Sequence, residues 1–311
     1  MPQQTTAQAR VVDPVLTQVA QGFENAEFVG ESLFPVVNVA KRGGKIVTFG
    51  KEDFQLDATD RAPGANTKRV NYGYSGSPYA LTQHALEGVV TFEQLQEANN
   101  TPGIDNAKVA IAKTQRKIAL RLEKDIADLA TTAANYAAGN TVALSGTSKW
   151  SDFANSDPIA DIETAKEQVR SSIGRKPNTI LVSAQVMSKL RQHPKIIDRI
   201  KYTGRDIPTP ELLASLFGVK VLKEAESIYA NAAGTFTDVW GNNVIVAFTE
   251  IGSVADMGLP SFGYTYRLQG HPVVEVPYMD RNAKSWLYPI TDEVSPVIAG
   301  SSAGYLLQTV V

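Results

Sequence analysis

The chain has no cysteine, only three histidines, and no apolar run that approaches the ~18 residues of a membrane span. Without cysteine there are no disulfides, thiolate nucleophiles or cysteine-ligated metals. His84, His193 and His271 stand in three separate segments without metal-site spacing; His193 and His271 each precede proline, and all three read as surface or turn residues. An excess of one charge is also missing. Thirty Lys plus Arg against 32 Asp plus Glu leave a net charge of −2, so the chain as a whole is marked neither for nucleic acid nor for a membrane surface. The opening MPQQTTAQARVVD lacks the charged-then-apolar pattern of a signal peptide, and the expectation is a soluble protein made in the cytoplasm.

Catalytic signatures are equally scarce. There is no GxGxxG, and Gly43-Gly44-Lys45 is followed by Ile46 and lacks the spacing of a phosphate-binding loop. Gly300-Ser301-Ser302-Ala303-Gly304 spells GxSxG, but that mechanism places its aspartate and histidine later in the chain, and no histidine follows. Glu93 with Glu97, and Asp125 with Asp128, have the helical spacing of an acid/base pair, yet they lie in a stretch rich in Lys and Arg and read as a solvated face. No catalytic residue, metal ligand or cofactor is expected.

The most prominent feature present is the segment from Ile104 to Tyr136, which reads as one amphipathic helix of roughly 50 Å. Ile104, Ile111, Ile118, Leu122, Ile126, Leu129 and Ala133 recur at steps of seven, four or three and share a face. Lys108, Lys113, Arg116, Lys117, Arg121, Glu123, Lys124 and Asp128 occupy the others. Thr101-Pro102 offers a start, with Asp105 as the rival cap, and Gly139-Asn140 a stop. Asp125 in the heptad seam argues against a coiled coil. The basic run Lys113, Arg116, Lys117, Arg121, Lys124 tolerates a phosphate backbone at close range but has no interleaved aromatics with which to read bases.

Around this helix the texture changes several times. Residues 1–40 read as an arm, with a short helix after Asp13-Pro14 and apolar Phe28, Leu33 and Phe34 that must bury against the body or another copy; Arg10 faces Asp13, Glu24, Glu27 and Glu31, so the arm is acidic. Residues 41–90 read as an extended hairpin built from 45–50, 69–74 and 77–83, with turn chemistry at Asp60, Pro63-Gly64 and Asn66. Its residues 41–70 carry Lys41, Arg42, Lys45, Lys51, Arg61, Lys68 and Arg69 against four acids. Opposite charge on two projecting elements suits docking between subunits, and these seven bases with Glu24, Glu27 and Glu31 are the candidate contact residues. Residues 141–157 read as a polar loop with Trp150 and Phe153. An α/β body follows, with helices at 158–173, 184–191 and 210–217 and strands at 179–182, 219–222 and 243–248. Strands at 262–268, 272–278 and 283–290 then form a sheet that needs a covering layer, which the apolar stripe of the long helix supplies; the tail 291–311 has no Lys or Arg and ends in apolar GYLLQTVV.

This order resembles the major capsid proteins of tailed bacteriophages, the Hong Kong 97-type capsid fold. The likeness is most specific in ELLASLFGVKVLKEAESIYANAAGTFTDVWGNNVIVAF at 211–248, and extends to SAQVMSKLRQHPKIIDRIKY at 183–202 and SLFPVVNVAKRGGKIVTFG at 32–50. It implies an α+β fold with an N-terminal arm (1–40), an extended loop (41–90), a peripheral domain with a long spine helix (91–140 and 256–290) and an axial α/β domain (141–255 and 291–311). It further implies a structural, non-enzymatic subunit whose pentamers and hexamers build an icosahedral head around double-stranded DNA. Scaffolding, portal and decoration proteins would be the other partners, with assembly in the bacterial host cytoplasm and no membrane. An encapsulin-like compartment is the alternative within the same fold, and an α+β enzyme the alternative outside it.

Overall fold

The computed structural model describes residues 28–48, 59–60, 75–99, 105–201, 208–250 and 261–311. The apolar residues at the end of the arm, expected to bury against the body or another copy, pack into the body of this chain. Helix α1 (Gly30–Leu33) leads into Phe34, and Leu33 and Phe34 are both fully buried. Strand β1 (Val36–Val39) then pairs in parallel with residues 265–268. Strands β2 (Gly43–Thr48) and β3 (Ser75–Ala80) form an antiparallel ladder; apart from 59–60, what lies between them is outside the described residues. The expected single strand at 77–83 is in fact divided. The Leu81 amide closes the ladder on Arg42 O at 2.8 Å, and β4 (Thr82–Thr91) turns into a different sheet.

Helix α2 (Phe92–Asn99) precedes the spine helix α3 (Asn106–Thr131). Asp105 is the cap, accepting from the Lys108 amide at 3.1 Å. The helix ends at Thr131, short of the expected Tyr136, because its last carbonyls are taken by side chains. Asn135 Nδ2 donates to Leu129 O, the Tyr136 hydroxyl to Ala130 O, and Gln308 Nε2 to Thr131 O, at 2.9, 2.6 and 3.1 Å. Its 26 residues span roughly 39 Å.

The expected polar loop after the spine helix is more ordered than its composition suggests. It contains strand β5 (Thr141–Ala143), and Trp150 is fully buried with its indole donating to Asp161 at 2.7 Å. Helix α4 (Pro158–Ile173) has Asp157 as cap, proline in its first turn and Gly174 in the left-handed conformation at its end. Strand β6 (Thr179–Ser183), helices α5 (Ala184–Gln192), α6 (Pro194–Ile200) and α7 (Pro210–Phe217), and strand β7 (Val221–Ala225) follow. Then come the small hairpin β8 (Ile228–Ala230) and β9 (Phe236–Asp238), and strand β10 (Val244–Ala247). The final strands are β11 (Gly263–Leu268), β12 (Val273–Val274), β13 (Tyr278–Asp280), β14 (Ser285–Ile298) and β15 (Gly304–Gln308).

Two sheets organise these elements. In the six-stranded sheet, β14 pairs with β4 along one edge and with β13, β12 and β11 in succession along the other, while β1 extends β11. β14 continues unbroken through 290–291, where the sequence reading divides the peripheral from the axial domain. The five-stranded sheet has the order β5-β15-β10-β6-β7, and its central strands β6 and β10 are buried throughout, as continuous apolar runs require. Spine helix α3 covers the first sheet through Ile111 and Ile118 and enters the core of the second through Leu122, Ile126, Ala127 and Ala130.

Of the histidines expected as surface or turn residues, His193 between α5 and α6 and His271 in the turn after β11 do lie at turns, but both are interior. His193 is fully buried, 3.1 Å from Ser156 Oγ and edge-on to Phe153, and the His271 side chain is 6% exposed. Their prolines set the local backbone, but packing around the rings decides exposure.

Candidate assembly surfaces

The β2–β3 ladder leaves the six-stranded sheet at a root held by specific contacts. Arg42 Nε and Nη2 donate to Glu293 Oε2 and Oε1 at 2.6 and 2.9 Å, a bidentate pair in which the Arg42 side chain is 64% exposed and that of Glu293 only 3%. On the other strand Tyr79 stacks on Tyr266 with ring centroids 4.3 Å apart, and burial, the larger cause, pushes the Tyr266 phenol up to about 12. His271 Nε2 lies 3.8 Å from Glu293, and Arg267 meets the neighbouring Asp292 at 3.3 Å. Adjacent residues of a strand point to opposite faces, so the dipeptide Asp292-Glu293 binds one guanidinium on each side of β14.

A second anchor sits where the described chain begins. Glu123 of α3 is 2% exposed and accepts from the Val29 and Gly30 amides at 3.1 and 2.9 Å and from the Trp240 indole at 2.7 Å. One carboxylate thus joins the first turn of α1, the spine helix and the approach to β10. Burial raises its pKa against the lowering effect of these three donors. Gly30 is required by the close approach, since a Cβ there would stand 2.6 Å from Glu123 Oε2.

The candidate contact residues fare differently. Lys41 and Lys45 are exposed at the ladder root, as is Glu31 on α1. The Arg42 side chain is largely exposed but commits its guanidinium to Glu293 of the same chain. Lys51, Arg61, Lys68, Arg69, Glu24 and Glu27 lie outside the described residues. Glu123, Asp292 and Glu293 are not among the sequence candidates, and Glu123 was expected off the apolar stripe. A clue existed for the pair in β14, because two acids interrupt a strand whose flanking Ile290 and Val294 are fully buried.

Among the described residues no group of three or more His, Asp or Glu is arranged to hold a metal ion, and no helix is long and apolar enough to cross a membrane. The described residues thus offer a two-stranded ladder, a spine helix and two sheets, and comparison with known proteins places the chain. The chain is 41% identical over 302 residues to the major capsid protein of Burkholderia phage BcepMu, covering 96% of each. The crystal structure of a phage-related protein of Bordetella bronchiseptica RB50 matches with a TM-score of 0.81 at 43% identity, over 97% of this chain and 98% of that one. The capsid of Cyanophage P-SCSP1u matches at 0.58 with 10% identity, covering 92% and 89%, a likeness of fold alone. The architecture is the Hong Kong 97-type capsid fold. A model of the family described as phage major capsid protein E matches residues 104–288, from the spine helix into β14, and the chain belongs to that family.

Proposed function

We propose that this chain builds an icosahedral phage head as pentamers and hexamers that enclose double-stranded DNA without reading its sequence, and that it does so without enzymatic activity. The observation that carries the reading is likeness to a phage major capsid protein over 96% of the chain. The geometry suits the role. The β2–β3 ladder stands on a root fixed by Arg42–Glu293 and Tyr79–Tyr266, so a loop carried at its end can reach a neighbouring subunit from a defined direction. Lys41, Lys45, Lys51, Arg61, Lys68 and Arg69 then serve as contacts for acidic Glu24, Glu27 and Glu31 of another copy. In this reading 1–40 is the arm, 41–90 the extended loop, 91–140 with 256–290 the peripheral domain, and 141–255 with 291–311 the axial domain. Scaffolding, portal and decoration proteins are the expected partners in the host cytoplasm.

Electron microscopy and sedimentation of the purified, concentrated protein test the reading: capsomers or closed shells are expected. A stable monomer at all concentrations would refute it. Deleting Gln55–Asn66 is expected to leave the five-stranded sheet folded while preventing closed shells, and normal particles from that deletion would remove the loop from assembly.

A further inference from the structure

A groove of about 570 Å³ lies between spine helix α3 and the segment joining β7 to β8. Phe28 and Val29 form one end, and Leu120 and the half-exposed Ile228 supply apolar surface. Lys113, Arg116 and Lys117, exposed at spacings of three and four on the helix, make a cationic rim. The opposite wall carries Glu224, which Arg191 pairs, and exposed Glu226. Ser227 also lines the groove; it is 7% exposed, and its Oγ has no hydrogen-bond partner among the described residues.

We infer that its occupant in the free subunit is the chain's own segment Val19–Glu27. The described chain begins at Phe28, itself a wall of the groove, and the preceding stretch VAQGFENAE carries apolar Val19 and Phe23, acidic Glu24 and Glu27, the amide of Asn25 and no basic residue. The apolar residues match the floor and the acidic ones the cationic rim. Glu24 is four residues from Phe28 and so reaches at most about 14 Å from it, and the covalent tether gives the segment an effective concentration of the order of millimolar. The acidic stretch would then be held on its own subunit and withheld from the basic ladder of another copy until subunits meet. This concerns one subunit and stands whether or not the chain forms shells.

The absence of cysteine makes the test direct. In dilute full-length protein, Phe23→Cys with Ile228→Cys is expected to form an intrachain disulfide at least about tenfold faster than Phe23→Cys with Val142→Cys, an exposed position on β5. Adding Lys113→Glu and Lys117→Glu should slow it to the control rate, and adding Glu24→Lys and Glu27→Lys to those should restore it. Equal rates for the two cysteine pairs would overturn the inference, as would indifference to the charge reversals. Faster disulfide formation in a mixture of the two single-cysteine proteins than within the double variant would assign the groove to a second copy and also overturn it.

Discussion

The two halves of the spine helix live in different surroundings. Its N-terminal half meets a small cluster in which Ile111 and Ile118 join Val90, Val274, Tyr288 and Ile290. Its C-terminal half delivers Leu122, Ile126, Ala127 and Ala130 to a far larger core that includes Trp150, Phe217, Trp240 and Phe262. Exposure follows the same division. Leu86, Val89, Val109, Val276, Tyr278 and Met279, six of the ten large exposed apolar residues among those described, belong to the region around the small cluster. A thin core holds its elements with fewer contacts and leaves apolar surface for other molecules, whereas the deep core holds one arrangement. The helix is therefore clamped at one end and lightly seated at the other.

The largest effect should come from a direct contrast of the two cores. Ile126→Ala is expected to destabilise the subunit by about 4 kcal/mol, and Ile111→Ala by about 2 to 3, because the smaller cluster can collapse around the lost methyl groups. Urea unfolding of both variants checks this, and equal losses would break the distinction. Glu123→Ala, at the clamped end, should cost about 2 to 3 kcal/mol because it strands two amides and the Trp240 indole in the interior. Burial raises the Glu123 pKa, so the folded chain binds that proton more tightly than the unfolded chain does. This group adds stability below the ordinary glutamate range and loses it as pH rises through the folded value. The melting temperature of the natural chain relative to Glu123→Gln should accordingly increase between about pH 7 and about pH 4.5.

At the lightly seated end, Gly88→Ala would place a Cβ 2.9 Å from Thr114 Oγ1 and 3.1 Å from Ala110 O, prising β4 from the helix. A loss of about 1 to 2 kcal/mol is expected, small for an overpacking change because the helix can yield there; calorimetry would measure it. The smallest effects should be the cap removals Asp105→Ala and Asp157→Ala, each about 1 kcal/mol and alike in the two regions, since a cap acts within one turn of its own helix. A difference of more than about 1 kcal/mol between them would show that caps too depend on the depth of the core.

Legibility from sequence tracks the range of the forces involved. The bounds 158–173 and 210–217 match α4 and α7 to the residue, because the structural caps Asp157 and Gly174, and Thr209 and Gly218, act on backbone beside them. The end of α3 was not, because one of its terminal carbonyls is satisfied by Gln308, 177 residues away. The break at Leu81 was missed because β3 and β4 continue as one strand-like run in sequence, and only their partners, β2 and β14, differ. Among the surface candidates, Arg42 pairs with a carboxylate 251 residues further on, a partner that no local pattern could point to.

The sequence by itself determined the spine helix and most of its apolar stripe, the bounds of α4 and α7, the buried strands β6 and β10, and the order of elements that marks the fold. Periodicity and capping are properties of neighbouring residues and persist in any context that allows the element to form. Tertiary structure alone decided that Glu123 and Glu293 are interior and His193 buried, and that Arg42 turns inward to a carboxylate. A charge or imidazole leaves water only when distant chain supplies its hydrogen bonds. For Glu123 those donors are 93, 94 and 117 residues away, beyond the reach of any local pattern.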